Sequence, residues 1–181
     1  IRQTVQQSVR LVNQLLTLSS AEVHGPGDPN GEPGRLDEVV RGVLVDLAGR
    51  AQSKGIDLGF EADASDIGVR GHAVTLREIA MNLVDNAIRY TQPGGIVTTR
   101  IVVASGRVTL TVEDNGPGIP GAERERVFQR FYRLDDSDSD GCGLGLSIVR
   151  EFANGLGARV TLRTPGNGVG LAVDVVFEAA P

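Results

Sequence analysis

The sequence predicts an α+β fold, a two-layer α/β sandwich in which helices cover one face of a mixed sheet. Apolar residues recur with helical spacing at 36–52 and 78–90. Two β-rich segments, 96–103 and 108–112, are joined by a short Ser-Gly-Arg turn. Helices that alternate with mostly hairpin-connected strands are typical of a sheet with helices on one side.

Length and composition limit the class of protein. The chain has 181 residues, of which 40% are hydrophobic and 23% charged, as expected for one globular domain plus a short appendage. A net charge of −5 argues against a nucleic-acid partner. Cys142 is the single cysteine, so no internal disulfide forms. No apolar run has the length of a membrane span, and the first residues do not show a signal-peptide pattern.

Residues 1–23 predict a helix that precedes the domain. Val5, Val9, Val12 and Leu16 follow a four-three-four spacing that is typical of a coiled-coil seam. A leucine stripe beside this seam favours a helical bundle, and a helix packed on its own domain is the alternative. Because the chain starts within this helical pattern, we expect it to be a fragment of a longer protein.

Residues 24–34 predict a linker, which divides the chain into three parts. They include the run GPGDPNGEPG, which cannot continue a helix and lacks the hydrophobic residues to pack. The helix of residues 1–23 is therefore followed by the linker and then by a domain over residues 35–181. Within that domain, the further predicted elements are short strands at 56–60 and 67–70, a helix at 146–154, and a closing hairpin of 159–162 with 171–177.

The helix predicted at 78–90 carries a polar stripe. Glu78, Asn82 and Asn86 are four residues apart, so they lie in one row with steps of about 6 Å. Amide oxygens suit a hydrated divalent cation, and the carboxylate can orient or deprotonate an attacking group. The alternative is the solvated face of an ordinary amphipathic helix.

A second polar stretch, Glu-Asp-Asn-Gly-Pro-Gly-Ile, covers residues 113–119 at the end of a predicted strand. Asp114 can accept a hydrogen bond from an exocyclic amine such as that of adenine. Gly116 and Gly118 allow the backbone to approach a ligand closely. A plain turn explains the same residues.

A third stretch, Gly-Cys-Gly-Leu-Gly-Leu, covers residues 141–146 and runs into the last predicted helix. Backbone N–H groups at a glycine-rich helix start form an anion site suited to phosphates. The stretch does not fit a dinucleotide-binding fingerprint, because the third glycine comes too early. It does not fit a Walker loop either, because no Lys-Ser or Lys-Thr follows.

The aromatic residues of 127–133 indicate a short helix, which is followed by an acidic segment at 134–140. The aromatic side chains can anchor a mobile lid and place Arg133 against a phosphate. A local hydrophobic cluster beside a disordered loop is the alternative.

The four stretches, taken in order, resemble the ATP-binding domain of sensor histidine kinases, a branch of the superfamily that includes DNA gyrase, Hsp90 and MutL. The resemblance covers about residues 36–177 and implies a Bergerat-type ATP-binding fold with ATP and Mg²⁺ as ligands. The opening helix is similar to the second helix of the kinases' dimerisation and phosphoacceptor hairpin.

The resemblance also implies a role for each matching residue. Asn82 would coordinate Mg²⁺, Glu78 would polarise or act as a base, and Arg133 would act in transfer. The implied nucleotide contacts are Asn82, Asn86, Arg89 (where the family usually has Lys), Tyr90, Asp114, Gly116, Gly118, Ile119, Gly143, Leu144, Gly145 and Leu146.

The expected partners follow from the same resemblance. They are the chain's own phosphoacceptor hairpin, within a full-length homodimer, and the receiver domain of a response regulator. His24 lacks the residues that follow the family's phosphoacceptor, and His72 is expected to cap the helix after it or to make a local bond. The acceptor is therefore expected upstream of Ile1. The fragment is expected to be cytoplasmic, with a parent protein anchored in the bacterial inner membrane.

Two features depart from the family pattern. The segment after Arg133 is acidic and would repel phosphates unless a cation intervened. Cys142 interrupts the glycine-rich stretch. A hydrolytic ATPase of the gyrase or Hsp90 kind and a nucleotide-binding regulatory module without transfer activity are the alternative functions.

Overall fold

The computed structural model describes residues 33–134 and 143–180. The helix predicted at 1–23, nearly all of the predicted linker, the acidic residues 135–140 and Cys142 lie outside the described residues. The helices are α1 (Leu36–Ser53), α2 (Ala73–Tyr90) and α3 (Gly145–Gly155). The strands are β1 (Gly34–Arg35), β2 (Asp57–Ala62), β3 (Gly68–Val69), β4 (Ile96–Ala104), β5 (Arg107–Asp114), β6 (Arg159–Arg163) and β7 (Leu171–Glu178).

Five of the strands form one mixed sheet in the order β2-β4-β5-β7-β6. The pair β2 and β4 is parallel, and the other three pairs are antiparallel. The predicted closing hairpin is present as β6 and β7. The α+β fold class and the mixed sheet are confirmed.

The three helices pack on one face of this sheet because each has an apolar face with helical spacing. The row Leu36, Val40, Val43 and Leu47 is buried along α1. The buried hydrophobic residues of the other two helices are Leu76, Ile79, Ala80, Leu83, Val84, Ala87 and Ile88 on α2, and Ile148, Val149, Phe152 and Ala153 on α3.

The two faces of the sheet differ in chemistry, as strand alternation requires. Val97, Ile101 and Leu110 are fully buried among the core residues. On the opposite face, Nε of Arg163 lies 2.7 Å from Oδ2 of Asp174. Polar side chains therefore cover the face that the described helices leave open.

The linker prediction ends at a residue that takes part in the fold. Gly34 belongs to β1 and is paired with Val69 of β3. A Cβ atom at Gly34 would lie 2.5 Å from the carbonyl oxygen of Gly71, so a side chain does not fit there. The start of α1 is thus tied to the domain through β1.

The prediction of an aromatic helix at 127–133 is wrong. The structure has only short 3₁₀ turns in this region, Gly121–Glu123 and Arg126–Phe128. Phe131 adopts a left-handed φ of 67°, and its N–H donates to the carbonyl of Gly143 at 2.9 Å. The segment bonds to the glycine-rich stretch, and a left-handed residue cannot continue a right-handed helix.

The start of α2 also differs from the prediction. The helix begins five residues before Glu78, at Ala73. His72 occupies the position before it, as expected, but its side chain makes no capping hydrogen bond. The predicted side-chain cap is therefore absent, and the local bond that His72 makes is through its carbonyl, which accepts the N–H of Leu76 at 3.1 Å.

Candidate nucleotide-binding site

The polar stripe predicted on 78–90 lies on α2. Asn82 is buried, with 6% of its surface exposed, although its side chain is polar. Its Nδ2 donates to the carbonyl of Glu78 at 2.8 Å, one turn earlier on the helix. Asn86 is partly exposed one turn later. The two amides therefore lie in one row, one turn apart on α2, and that of Asn82 is held by the helix backbone.

The start of α3 lies directly against this row. A Cβ atom at Gly145 would lie only 2.6 Å from Nδ2 of Asn86, so any side chain there would displace the amide of Asn86. Gly145 is the first residue of α3, and the N–H groups of a first helical turn have no partner within the helix. The contact thus brings the positive end of a helix dipole next to a side-chain amide.

Gly143 brings the aromatic segment to the same place. It has a φ of 65°, and a Cβ atom there would lie 2.7 Å from the carbonyl carbon of Phe131. The backbone of Tyr132 is also within 2.9 Å of that position. The last turn before Arg133 is therefore packed on the glycine-rich stretch.

Two arginines of the candidate set have buried N–H groups without an acceptor among the described residues. Nε and Nη2 of Arg133 are two of these atoms, and Nε of Arg89 is the third. A buried charged donor without a partner is costly. An anion with several oxygens, such as a polyphosphate, suits these groups.

Asp114 ends β5 and is buried, with 7% of its surface exposed. The N–H of Gly116 donates to its Oδ1 at 2.9 Å. Burial raises the pKa of the Asp114 carboxyl, while hydrogen bonds from the backbone of Gly116 and Leu171 act in the opposite direction. This carboxyl is a fixed hydrogen-bond group at the edge of the core.

Glycines surround Asp114 because the backbone is crowded there. A Cβ atom at Gly116 would lie 2.9 Å from the carbonyl oxygen of Tyr90, at the end of α2. Gly118 has a φ of 72°, and its Cβ would lie 2.6 Å from the carbonyl oxygen of Gly170. The end of α2 and the turn after β5 are thus held in contact.

The remaining candidate residues contribute mostly backbone or apolar surface. The carbonyl of Ile119 accepts a hydrogen bond from Nε of Arg124 at 3.2 Å. Leu144 and Leu146 pack against the hydrophobic core on either side of Gly145. Tyr90 is about half exposed, so its ring is accessible from outside.

Together, the candidate residues lie at two ends that α2 connects. Asn82, Asn86, Gly143 and Gly145 lie at one end, which we call the phosphate end. The turn around Asp114 lies near Tyr90, which we call the base end. Asn82 and Tyr90 are eight residues apart on α2, a rise of about 12 Å, so the site is elongated.

Sequence reasoning missed two residues that shape this region. Gly170 has a φ of 93°, and a Cβ atom there would lie 1.8 Å from the carbonyl oxygen of Asp114. The alternation of glycines over 166–170 was the available signal. Asp85 is buried and forms an ion pair with Arg50 of α1. No sequence pattern predicts which residues of two helices come into contact.

Two features are absent from residues 33–134 and 143–180. No group of three or more His, Cys, Asp or Glu side chains there is arranged to hold a metal ion. None of the helices in that part of the chain combines the length and hydrophobicity of a membrane span.

Comparison with known families bears on the interpretations that the sequence left open. Residues 71–180 match the family described as histidine kinase-, DNA gyrase B-, and HSP90-like ATPase. The chain belongs to this family. It resembles the sensor histidine kinase branch, which favours that interpretation over a gyrase-like or Hsp90-like one.

Individual relatives agree with this assignment. The chain is 34% identical over 164 residues to the sensor protein QseC of Salmonella typhi. This alignment covers 91% of the chain and 35% of QseC. It is 33% identical over 186 residues to the sensor protein KdpD of Mycobacterium tuberculosis, covering 100% of the chain and 21% of KdpD. The chain thus spans about a third or less of the length of these relatives.

Solved structures confirm the fold of this ATPase family. The mycobacterial sensor histidine kinase MprB superposes with a TM-score of 0.73 at 30% identity, covering 83% of this chain and 98% of that one. The catalytic domain of the histidine kinase ThkA gives a TM-score of 0.72 at 27% identity, covering 80% of this chain and 92% of that one.

Proposed function

We propose that this chain is the catalytic part of a sensor histidine kinase that binds Mg-ATP and transfers the γ-phosphate to a histidine upstream of Ile1. The observation that carries the proposal is the contact between Asn86 and Gly145. This contact joins the amide row of α2 to the start of α3. Amide oxygens suit a metal ion and its phosphates, and the N–H groups of a helix start suit anions.

At the phosphate end, we assign anion binding to backbone and guanidinium groups. The N–H groups around Gly143, Leu144 and Gly145 would hold phosphate oxygens. Arg89 and Arg133 would supply positive charge, and their unpartnered N–H groups support this role. Phosphoryl transfer depends mainly on such charge neutralisation and alignment.

The donor chemistry of α2 fits Mg²⁺. An amide oxygen is a hard, neutral ligand, and Mg²⁺ in nucleotide sites takes most of its other ligands from phosphates and water. Asn82 would hold the ion, and Asn86 would contact the ion or a phosphate. The ion, when bound, would neutralise part of the phosphate charge.

At the base end, the ionised Asp114 would accept a hydrogen bond from the exocyclic amine of adenine. Gly116 and Gly118 would let the base approach the backbone, with Tyr90, Ile119 and Leu146 providing apolar contact. Support comes from the burial of Asp114 and from the absence of room for side chains at both glycines.

In the transfer step, a nitrogen of the acceptor imidazole forms a bond to the γ-phosphorus as the bond to the β,γ-bridging oxygen breaks. ADP leaves, and the imidazole N–H proton passes to a base. Glu78 is assigned this base or polarising role because it lies on α2 one turn before Asn82, the proposed metal ligand.

The rest of the proposal concerns the parent protein. Residues 1–23 would form the second helix of the phosphoacceptor hairpin, 24–34 the linker, and 35–181 the ATP-binding domain. The full-length protein would be a homodimer anchored in the bacterial inner membrane, with this part in the cytoplasm. It would pass the phosphate to an aspartate of a response regulator.

The test combines binding and transfer. Calorimetric titration of a non-hydrolysable ATP analogue, with and without Mg²⁺, compares the unmutated chain with Asp114→Ala. Radiolabelled ATP is then added together with a separately made histidine-bearing hairpin. Asp174→Ala is the matched control, because Asp174 lies on the neighbouring strand, in register with Thr111 rather than at the site.

We expect binding that requires Asp114 but not Asp174, and label on the hairpin. Binding without label would favour a regulatory module. Steady phosphate release from the chain alone would favour a hydrolytic ATPase. Failure of the unmutated chain to bind the analogue would refute the nucleotide assignment.

A further inference from the structure

The ends of α1 and α2 meet around the buried carboxylate of Asp85, outside the residues assigned above to nucleotide contact. Asp85 is 5% exposed and lies on α2, one turn before Arg89. Nη1 of Arg50, on α1, donates to its Oδ1. Nη2 of Arg89 lies 3.9 Å from its Oδ2. Two guanidinium groups thus flank one carboxylate, one on each oxygen.

The two arginines engage this carboxylate to different degrees. Arg50 makes a direct charge-assisted hydrogen bond with it. Arg89 is beyond hydrogen-bond distance, and its Nε is buried without an acceptor among the described residues. Arg89 is therefore attracted to the carboxylate but keeps donors that another anion can use.

The backbone at this point is held from the same side. Nζ of Lys54, the residue that follows α1, donates to the carbonyls of Ile88 and Arg89 at 2.9 and 2.5 Å. The last turn of α2 is thus fixed by α1.

We propose that Arg50 is a positioning residue for phosphate binding: it neutralises Asp85 and so keeps the guanidinium of Arg89 available for the nucleotide. The inference rests on the proposed function, because it assumes that Arg89 contacts phosphate. It adds a residue from α1, outside all four sequence motifs, to the determinants of that contact.

The physical reason is the cost of a buried charge that loses a partner. Without Arg50, the carboxylate of Asp85 would lose a direct ion pair while remaining out of water. Arg89 is only 3.9 Å away and belongs to the same helix, so a small side-chain rotation would bring it into direct contact. Its guanidinium would then be occupied by the protein and lost to the phosphate.

The experiment measures the affinities of ATP and of adenosine, which has no phosphates, for the full chain and its variants. In Arg50→Met we expect ATP binding to weaken about tenfold, the value of one charge-assisted contact, and adenosine binding to stay unchanged. Arg77→Met is the matched control, since Arg77 pairs with Asp46 between the same two helices. It should bind both ligands like the unmutated chain.

Three further variants separate positioning from a merely structural role. Arg50→Lys should restore most of the ATP affinity, because it keeps the charge. Arg50→Met with Asp85→Asn should also restore it, because no carboxylate remains to attract Arg89. Arg89→Met should lose the phosphate-dependent affinity by itself, and adding Arg50→Met to it should cause no further loss.

Different results refute different statements. If Arg89→Met weakens ATP binding but Arg50→Met does not, the positioning role is wrong while the proposed function stands. The same holds if Arg50→Met weakens ATP and adenosine equally, or if Asp85→Asn fails to restore affinity. If the unmutated chain binds ATP no better than adenosine, the assignment of the phosphate end fails, and the inference fails with it.

Discussion

The base end and the phosphate end of the site are built in different ways. At the base end, β5 and β7 are paired without interruption from Arg107 with Glu178 to Asp114 with Leu171. At the phosphate end, Asn82 and Asn86 on α2 and Gly145 on α3 meet a turn in which the N–H of Phe131 bonds to the carbonyl of Gly143. The base end is therefore fixed by the sheet, whereas the phosphate end depends on local contacts.

The polar groups at the two ends differ in the same way. Asp114 receives a hydrogen bond from the protein's own backbone. Arg133 has two buried N–H groups without an acceptor among residues 33–134 and 143–180. Changes at the base end should therefore affect folding, and changes at the phosphate end should affect ligand affinity first.

Gly170→Ala should have the largest effect, on stability. A Cβ atom there would lie 1.8 Å from the carbonyl oxygen of Asp114, so the start of β7 would have to move. We expect the free energy of unfolding to fall by at least about 3 kcal/mol, as measured by urea denaturation.

The control for Gly170 is Gly168→Ala. Gly168 also has a left-handed φ, of 78°, but a Cβ atom there has open space. Gly168→Ala should lower the free energy of unfolding only by the conformational strain of alanine at this φ, about 1 kcal/mol. Equal losses for the two variants would show that the contact with Asp114 is not what requires glycine.

Gly145→Ala should reduce ATP affinity more than stability. The new Cβ would push against the side chain of Asn86, which can rotate away, so the fold tolerates the change while the amide moves. We expect ATP binding to weaken by about tenfold in a calorimetric titration. Gly155→Ala, at the other end of α3 with open space around it, should bind ATP normally.

Unfolding of the Gly145→Ala variant is measured in parallel. If its loss of stability resembles that of Gly170→Ala, the two ends do not differ in the way proposed here.

The pH dependence should report the burial of Asp114. Burial raises its pKa in the folded state above the ordinary value of 3.8, so the folded protein binds this proton more tightly than the unfolded chain. The contribution of Asp114 to stability should therefore fall as the pH rises from 3.8 through the raised pKa. Urea denaturation of the unmutated chain and of Asp114→Asn over this range isolates the effect.

ATP affinity should change in the opposite direction, because adenine recognition needs the ionised carboxylate. Binding to the unmutated chain should weaken as the pH is lowered through the raised pKa. A stability difference from Asp114→Asn that does not change with pH would mean that this carboxyl is not perturbed by burial.

Phe131→Asn should have the smallest effect, a gain in stability of up to about 1 kcal/mol. Phe131 has a φ of 67° and is 71% exposed, so the native residue is strained and loses little packing when replaced. Asparagine tolerates this conformation, whereas Phe131→Ala keeps the strain and serves as the control. Thermal unfolding that ranks the two variants equally would exclude backbone strain at this position.

Much of the fold was predictable because its signals are local. The helices at Leu36–Ser53 and Gly145–Gly155 and the strands β4 and β5 were predicted within a few residues, from spacing and turn residues alone. The failure at 127–133 has a tertiary cause. Its aromatic spacing suits a helix, but the hydrogen bond between Phe131 and Gly143 joins it to a stretch twelve residues away.

By itself, the sequence determined the order of the motifs, the polar row on α2 and the family to which the chain belongs, because short-range periodicity and ordered motifs survive without coordinates. Only the tertiary structure decided that Gly145 meets Asn86, that Gly170 covers Asp114 and that Arg50 reaches Asp85. These contacts join residues 35 or more positions apart. They depend on how helices and strands pack, which no local pattern encodes.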